Sequence, residues 1–336
     1  MSITTHASPS RYLPVAGWEQ LPDGWLHPDV PGVAVDALDR VYLFTRGSHP
    51  VIVYEANGTF ITSWGEGVFN NPHAIRIDHE GFAWCVDNGD HTVRKCTLDG
   101  EVVMMLGTPG MPSDTGVRTR GADYTKFDYR DVTRGGAPFN GPTDVCVLRD
   151  GTVFVSDGYG NARVHRFSPA GGLELSWGQP GSGPGQFHIP HAIIATPDEQ
   201  QLLVADRENN RIQIFDLDGE LVDIWEGWCR PDGFAISRDE LLCVTQLGLL
   251  AGRWDNMDPL TDESPGSRCI LADFHGREIE RWGTDDPTED GSFFAPHGAA
   301  FDSTGALYVG EVSWSGGVKT GIAPLECHTL QKFVRP

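Results

Sequence analysis

The chain has 336 residues, 39% hydrophobic and 21% charged, a balance that suits a folded globular protein and excludes a disordered one. Its formal net charge of −22 repels phosphate backbones and anionic lipid surfaces, which excludes a nucleic-acid partner and a membrane-surface role. No apolar run reaches the roughly 18 residues of a membrane span, and the opening MSITTHASPSRYLPV has no basic segment followed by an apolar core, so neither a span nor a secretory signal is expected. The seven cysteines (85, 96, 146, 229, 243, 269 and 327) are scattered, odd in number and without a C-x-x-C pair. They read as reduced structural thiols of a cytoplasmic protein.

In chain order, the first element is YLPVAGWEQLP, residues 12–22, which has the pattern of a blade-closing strand with Trp18 as its tryptophan. Six segments of one layout follow: PGVAVDALDRVYLF from Pro31, PHAIRIDHEGFAWCVD from Pro72, PTDVCVLRDGTVFVSD from Pro142, PHAIIATPDEQQLLVAD from Pro190, PDGFAISRDELLCV from Pro231 and PHGAAFDSTGALYVGE from Pro296. Each opens on proline, runs as a short apolar strand, turns, and returns as a second apolar strand. Third strands such as RVHRFS and RIQIFD come next. Hairpin signals (ANG, LDG, PAGG, LDG, FHG) then lead into fourth strands ending SWG, MLG, SWG, IWEG or RWG. Four strands per unit of about 40 residues mark a propeller blade.

The expected fold is therefore all-β: a six-bladed β-propeller as one domain over residues 1–336, with blades starting near 31, 72, 142, 190, 231 and 296. The sixth unit stops at TLQKFVRP, its third strand, so residues 12–22 are expected to complete it and remove an exposed sheet edge. Stretches 108–141, 246–267 and 312–326 break the repeat and read as long loops at the mouth of the channel.

The residue after each opening proline is Gly32, His73, Thr143, His191, Asp232 and His297 in turn. Equal phase places all six at one height on the innermost strands. Histidine occurs in alternate units, about 120° apart in a six-fold ring. A lone Pro-His reads as a strand start bonded to backbone, but three at one phase point to a metal site. Zinc is the first expectation, and Fe2+, Mn2+ and Co2+ accept the same ligands.

A second set of candidates follows the second strands: Arg46 after VYLFT, Tyr159 after FVSDG and Arg207 after LLVAD. The arginine fork fits a carboxylate, which suggests a small-molecule substrate carrying one, and tyrosine can transfer a proton. Taken singly, each also reads as a rim residue paired with a neighbour such as Glu208. Asp157, Asp206, Asn161, Asn209, Arg163 and Arg211 form a recurring D-x-x-N-x-R-like turn and are assigned to blade structure.

The stretches PTDVCVLRDGTVFVSDGYGNARVHRFSPAG, GQFHIPHAIIA and VADRENNRIQIFDLDG resemble the catalytic domain of the peptidyl-α-hydroxyglycine α-amidating lyase family, one of the NHL-repeat propellers. The resemblance runs from about Val33 to the C-terminus and is strongest over 142–219. It implies zinc-binding histidines at His73, His191 and His297, a catalytic tyrosine at Tyr159 in SDGY, and active-site arginines at Arg46 in LFTRG and Arg207 in ADREN. It also implies a structural calcium on the backbone carbonyls of Val33 and Ile75 and on an aspartate after the third histidine. Gly298 stands in that last place, so calcium is expected to be weak or absent. Gly160 and Ile214 stand where the secreted animal members have disulfide cysteines, and Asp232 matches no role in the family.

The chemistry implied is a metal-dependent lyase that cleaves the C–N bond of an α-hydroxy amide to an amide and a carbonyl product such as glyoxylate. Two rivals stand beside it. One is a metal-dependent hydrolase, lactonase- or amidase-like, with Asp232 as proton acceptor. The other is a propeller that only binds partners.

Overall fold

A computed structural model describes residues 12–117, 129–252 and 265–336. The described strands form six four-stranded antiparallel sheets. The first blade is β2 (Gly32–Val35), β3 (Val41–Phe44), β4 (Val51–Tyr54) and β5 (Phe60–Trp64). The second is β6 (Pro72–Ile77), β7 (Ala83–Asp87), β8 (Thr92–Cys96) and β9 (Val102–Gly107). The third is β10 (Pro142–Val147), β11 (Val153–Asp157), β12 (Arg163–Phe167) and β13 (Leu173–Trp177). The fourth is β14 (Pro190–Ala195), β15 (Gln201–Asp206), β16 (Arg211–Asp216) and β17 (Leu221–Glu226). The fifth is β18 (Pro231–Ile236), β19 (Leu242–Gln246), β20 (Arg268–Ala272) and β21 (Glu278–Trp282). The sixth is β22 (Pro296–Phe301), β23 (Leu307–Glu311), β24 (Leu330–Val334) and β1 (Leu13–Pro14).

The burial pattern follows from this arrangement. Second strands such as β3 (VYLF) and β7 (AWCVD) are buried along their whole length, because neighbouring blades cover both faces. Fourth strands such as β9 and β13 lie at the rim and are largely open to solvent. The core is a ring of blade-to-blade interfaces rather than one central mass. One of them joins Ala34, Tyr42 and Val53 of the first blade to Ile75, Cys85 and Cys96 of the second. The recurrent hairpin glycine serves these interfaces as well as the turn. Gly100 and Gly219 have φ of 93° and 82°, and a Cβ on either would stand 2.8 Å from the indole ring of Trp64 or Trp177 on the preceding blade.

The N-terminal segment closes the ring with less strand than the sequence pattern suggested. Leu13 pairs with Val334 and Pro14 with Phe333, and the chain then turns at Gly17 with φ of 63°. Trp18 is therefore a clasp rather than a strand residue. Its Nε1 donates to the Ala56 carbonyl at 2.9 Å, and its ring packs against Tyr54 and Tyr308 at 5.6 and 5.0 Å. Tyr12 covers the fifth blade by stacking on Trp282 at 5.3 Å.

Of the stretches that break the repeat, residues 312–326 contain a one-turn helix, α1 (Ser313–Gly316). Parts of the other two, 118–128 and 253–264, lie outside the described residues. No helix among the described residues is long and apolar enough to cross a membrane.

Candidate metal centre

The site begins with a backbone irregularity. In five blades the innermost strand shifts register against the second strand near its start, between Pro72 and Ala74, Pro142 and Asp144, Pro190 and Ala192, Pro231 and Gly233, and Pro296 and Ala299. The residues in the shifts include His73, Thr143, His191, Asp232 and His297. A bulge of this kind re-aims one side chain out of the ladder. The first blade has no shift, since β2 pairs regularly with β3. Arg46 N bonds Asp29 O just as Arg207 N bonds Ile189 O, which aligns Pro31, not Gly32, with His191. The expectation for Gly32 is corrected accordingly. A count from the prolines misses this one-residue offset because it lies in backbone pairing.

Each histidine is oriented by the start of the blade that follows it around the ring. Nδ1 of His73 lies 2.6 Å from Thr143 O, Nδ1 of His191 lies 2.7 Å from Asp232 O, and Nδ1 of His297 lies 2.6 Å from Pro31 O. A carbonyl only accepts, so Nδ1 carries the proton and Nε2 of a neutral ring keeps its lone pair. The ring centroids are 4.7–4.9 Å apart, and the ligand atoms all lie within 4.8 Å of one another.

All three rings are buried, and burial holds each below the ordinary histidine range. For His73 the charges of His297 and Arg46 add to burial, and for His191 that of Arg207 does so, which sends both well down. His297 is lowered by burial while Asp232 pulls the other way. Three neutral imidazoles thus turn lone pairs toward one point, and His297 Nε2 has no hydrogen-bond partner. That donor set fits a divalent transition metal with positions left for water and substrate.

The other candidates gather around this point. The Tyr159 hydroxyl lies 3.1 Å from Nε2 of both His73 and His191. The guanidinium of Arg207 lies over the Tyr159 ring, 5.6 Å from its centroid. Arg207 donates through Nη1 to Asp232 Oδ1 at 3.0 Å and through Nε to Glu208 Oε1 at 2.9 Å. Burial opposes its charge, but Tyr159, Glu208 and Asp232 outweigh burial and raise its pKa, so the guanidinium stays charged. Asp232 Oδ1 also lies 3.2 Å from His191 Nδ1, whereas Oδ2 lies 3.8 Å from His297 Nε2 without a hydrogen-bond partner. Arg46 donates through Nε to Pro72 O at 3.1 Å and through Nη1 to Ser315 Oγ at 2.9 Å, with Asp29 Oδ2 at 3.5 Å.

Val33 and Ile75 line the same cavity farther along the channel, together with Arg76 and Asp144. There Arg76 holds Asp144 by two bonds of 3.0 and 2.7 Å and reaches across to Phe234 O at 2.9 Å. A Cβ at Gly298 would stand 2.5 Å from Pro31 O, the carbonyl that orients His297. A carboxylate side chain has no room at that place unless the anchor moves. Sequence reading missed Arg76 and Asp144 because neither recurs in the repeat.

The turn residues divide. Asp206 accepts from His188 N, Asn209 and Arg211, and Asp157 accepts from Asn140 N and Asn161. Arg163 departs from the pattern and donates to Ser176 O, while His165 stands 3.3 Å from Asp157.

The fold defines a six-bladed β-propeller, and the NHL repeat matches residues 139–167 and 187–215. In sequence the chain is similar to the amidating enzymes. It is 32% identical over 247 residues to peptidylglycine alpha-amidating monooxygenase of Rattus norvegicus, covering 60% of this chain and 23% of that protein. It is 35% identical over 181 residues to peptidyl-alpha-hydroxyglycine alpha-amidating lyase 1 of Drosophila melanogaster, covering 51% of this chain and 30% of that protein. The chain therefore spans less than a third of the length of either relative. In overall fold it matches a streptogramin B lyase structure with a TM-score of 0.56 and 14% identity, covering 97% of both chains.

Proposed function

We propose that the chain is a metal-dependent carbon–nitrogen lyase that splits an α-hydroxy amide into an amide and a carbonyl acid such as glyoxylate. The observation that carries this reading is the Tyr159 hydroxyl, seated 3.1 Å from Nε2 of two of the converged imidazoles. A proton-transfer group thus sits where a bound cation would meet substrate. Homology to named α-hydroxyglycine lyases supports the same chemistry.

His73, His191 and His297 would hold the ion through Nε2, with zinc the first expectation and Fe2+, Mn2+ or Co2+ chemically admissible. When bound, the ion supplies Lewis acidity to the substrate hydroxyl. Tyr159, as the general base, takes the hydroxyl proton. The oxygen's electron pair forms the carbonyl, the C–N bond breaks toward nitrogen, and Tyr159 returns the proton to that nitrogen. No water is consumed. Arg46 and Arg207 receive the substrate carboxylate from two sides. The seven unpaired cysteines support a reducing, cytoplasmic setting for the reaction.

An N-acyl-α-hydroxyglycine, with released glyoxylate as readout, tests the proposal. Tyr159→Phe is expected to lower turnover by about 10²–10⁴-fold with metal content and folding retained. Near-normal turnover in that variant would overturn the mechanism. One observation favours a hydrolase instead: Asp232 Oδ2 is buried, unpaired and 3.8 Å from His297 Nε2, a place from which a carboxylate can take a proton from water. Oxygen-18 from solvent appearing in a product acid would select that reading.

A further inference from the structure

We propose that Arg230 is a positioning residue for the carboxylate end of the site, acting through a hydrogen-bonded belt that joins Arg207 to Arg46 around the channel mouth. The proposal rests on the reading of those two arginines as carboxylate binders.

Arg230 is 1% exposed and has a left-handed backbone with φ of 45°, uncommon for a long side chain. All of its guanidinium donors are used. Nε and Nη2 reach Glu208 Oε1 at 3.3 and 2.9 Å, and that same oxygen accepts from Arg207 Nε. Nη1 donates to Gly248 O at 3.2 Å and Ala251 O at 2.7 Å, and Nη2 also donates to Gly252 O at 3.1 Å. Its backbone is held as well: the amide donates to Asn210 Oδ1 at 3.0 Å, and the carbonyl accepts from Leu247 N at 3.1 Å.

The belt then continues. Gly252 N donates to Gly316 O at 2.9 Å, which links the segment after β19 to α1. From α1, Ser315 Oγ accepts from Arg46, and Ser315 N donates to Asp29 Oδ1 at 3.1 Å, the carboxylate that flanks Arg46. An apolar cluster that includes Leu247, Ala251, Val312 and Ala323 packs the two segments together. The path runs from the fourth blade through the fifth and sixth to the first without a break.

A guanidinium wired to one carboxylate and three carbonyls has a stabilising role on any account. The functional content lies in the shared Glu208 oxygen. It fixes the direction of Arg207, whose other end bonds Asp232 beside the imidazoles. Arg230 thereby sets the orientation of one carboxylate-binding fork and its spacing from the other. Lysine, with three donors and no planar fork, cannot hold the same set.

The test uses the full, metal-loaded chain. Glyoxylate binding is measured by calorimetry, and kcat and KM are measured on an N-acyl-α-hydroxyglycine and its methyl ester. Arg230→Lys is expected to weaken glyoxylate by about tenfold, raise KM for the acid by a similar factor, leave kcat within about threefold, and erode the preference for acid over ester. Metal content stays the same. A lower melting temperature with the acid-over-ester preference intact would make Arg230 merely structural and overturn the proposal.

Arg207→Lys is run alongside. If it also leaves the preference intact, or if the unaltered protein binds no glyoxylate, the carboxylate reading itself fails. If Arg207→Lys erodes the preference and Arg230→Lys does not, only the belt fails. Should Arg230→Lys not fold, Ser315→Ala at the other end of the belt carries the test. It is expected to weaken glyoxylate by about threefold, and unchanged binding would overturn the proposal.

Discussion

Where His73, His191 and His297 converge, the Nδ1 atoms are satisfied and the Nε2 atoms face one another, and His297 Nε2 and Asp232 Oδ2 have no hydrogen-bond partner. Farther along β6 the channel is built in the opposite way. Arg76 there donates to both oxygens of Asp144 and to Phe234 O, and Asp144 also accepts from the amides of Val145 and Ile193. The first level consists of neutral rings and is incomplete; the second is a charged pair and is complete. Buried polar atoms are normally paired, so two unpaired ones beside three converging imidazoles suit a place that a ligand completes. A fully bonded pair marks a strut. The difference teaches where in one channel to look for chemistry and where to look for stability.

The largest effect expected from this contrast is on metal content. Wild-type protein should retain close to one transition-metal ion per chain, and replacing His73, His191 and His297 together with alanine should reduce it to background while the propeller still folds. Elemental analysis reads the result, and full occupancy in the triple variant would move the site elsewhere.

The strut should answer in reverse. Arg76→Met strands the Asp144 carboxylate and is expected to cost about 2–3 kcal/mol in denaturant unfolding with no loss of metal. That figure lies below the range for a fully buried pair because the Arg76 side chain keeps 23% exposure. Metal loss without destabilisation would erase the distinction between the two levels.

Glu311 sharpens the contrast from outside the channel. It accepts from the amides of Phe294, Ala295 and Gln331 and from the Ser313 side chain, and burial pushes it from 4.5 up to about 7. Its folded pKa is raised, so its contribution to stability is fully present below the unfolded value and is lost as pH rises through about 7. Across that window it should tilt the stability curve downward by at most about 1.4 kcal/mol per pH unit. Glu311→Gln should flatten that part of the profile in paired unfolding series, and an unchanged slope would deny the shift.

The smallest effect is expected from calcium. The Arg76 guanidinium already lies in the cavity lined by Val33 and Ile75, and Gly298 offers no carboxylate, so millimolar calcium should leave the melting temperature where it was. A rise of several degrees would show a calcium site that the Arg76 strut does not preclude.

Much of this was legible in the chain itself. The proline-marked repeat gave the blades, and the phase of three histidines within it gave the centre. The places of Tyr159, Arg46 and Arg207 after second strands put them at the channel rim, but their candidate roles came from the family resemblance rather than from the repeat. The bulges that aim the histidines were not readable, nor was the one-residue offset that puts Pro31 where Gly32 was expected. Trp18 was visible as a closing tryptophan, but its place between Tyr54 and Tyr308 depends on the turn at Gly17.

By itself, then, the sequence determined the periodic part of this protein: six blades, their order, and which residue types stand at the inner strand starts. Repeats are local, and an apolar strand with its turn residues is specified within some tens of neighbours. Only the tertiary structure decided the non-periodic part. Arg230 meets Glu208 across 22 residues and meets Gly248, Ala251 and Gly252 on the other side of a strand pair. Arg76 finds Phe234 across 158 residues. Such pairings occur once each and leave no period to read. They form because closing the ring brings distant charged groups into buried or half-buried positions, where a charge left without a partner is costly.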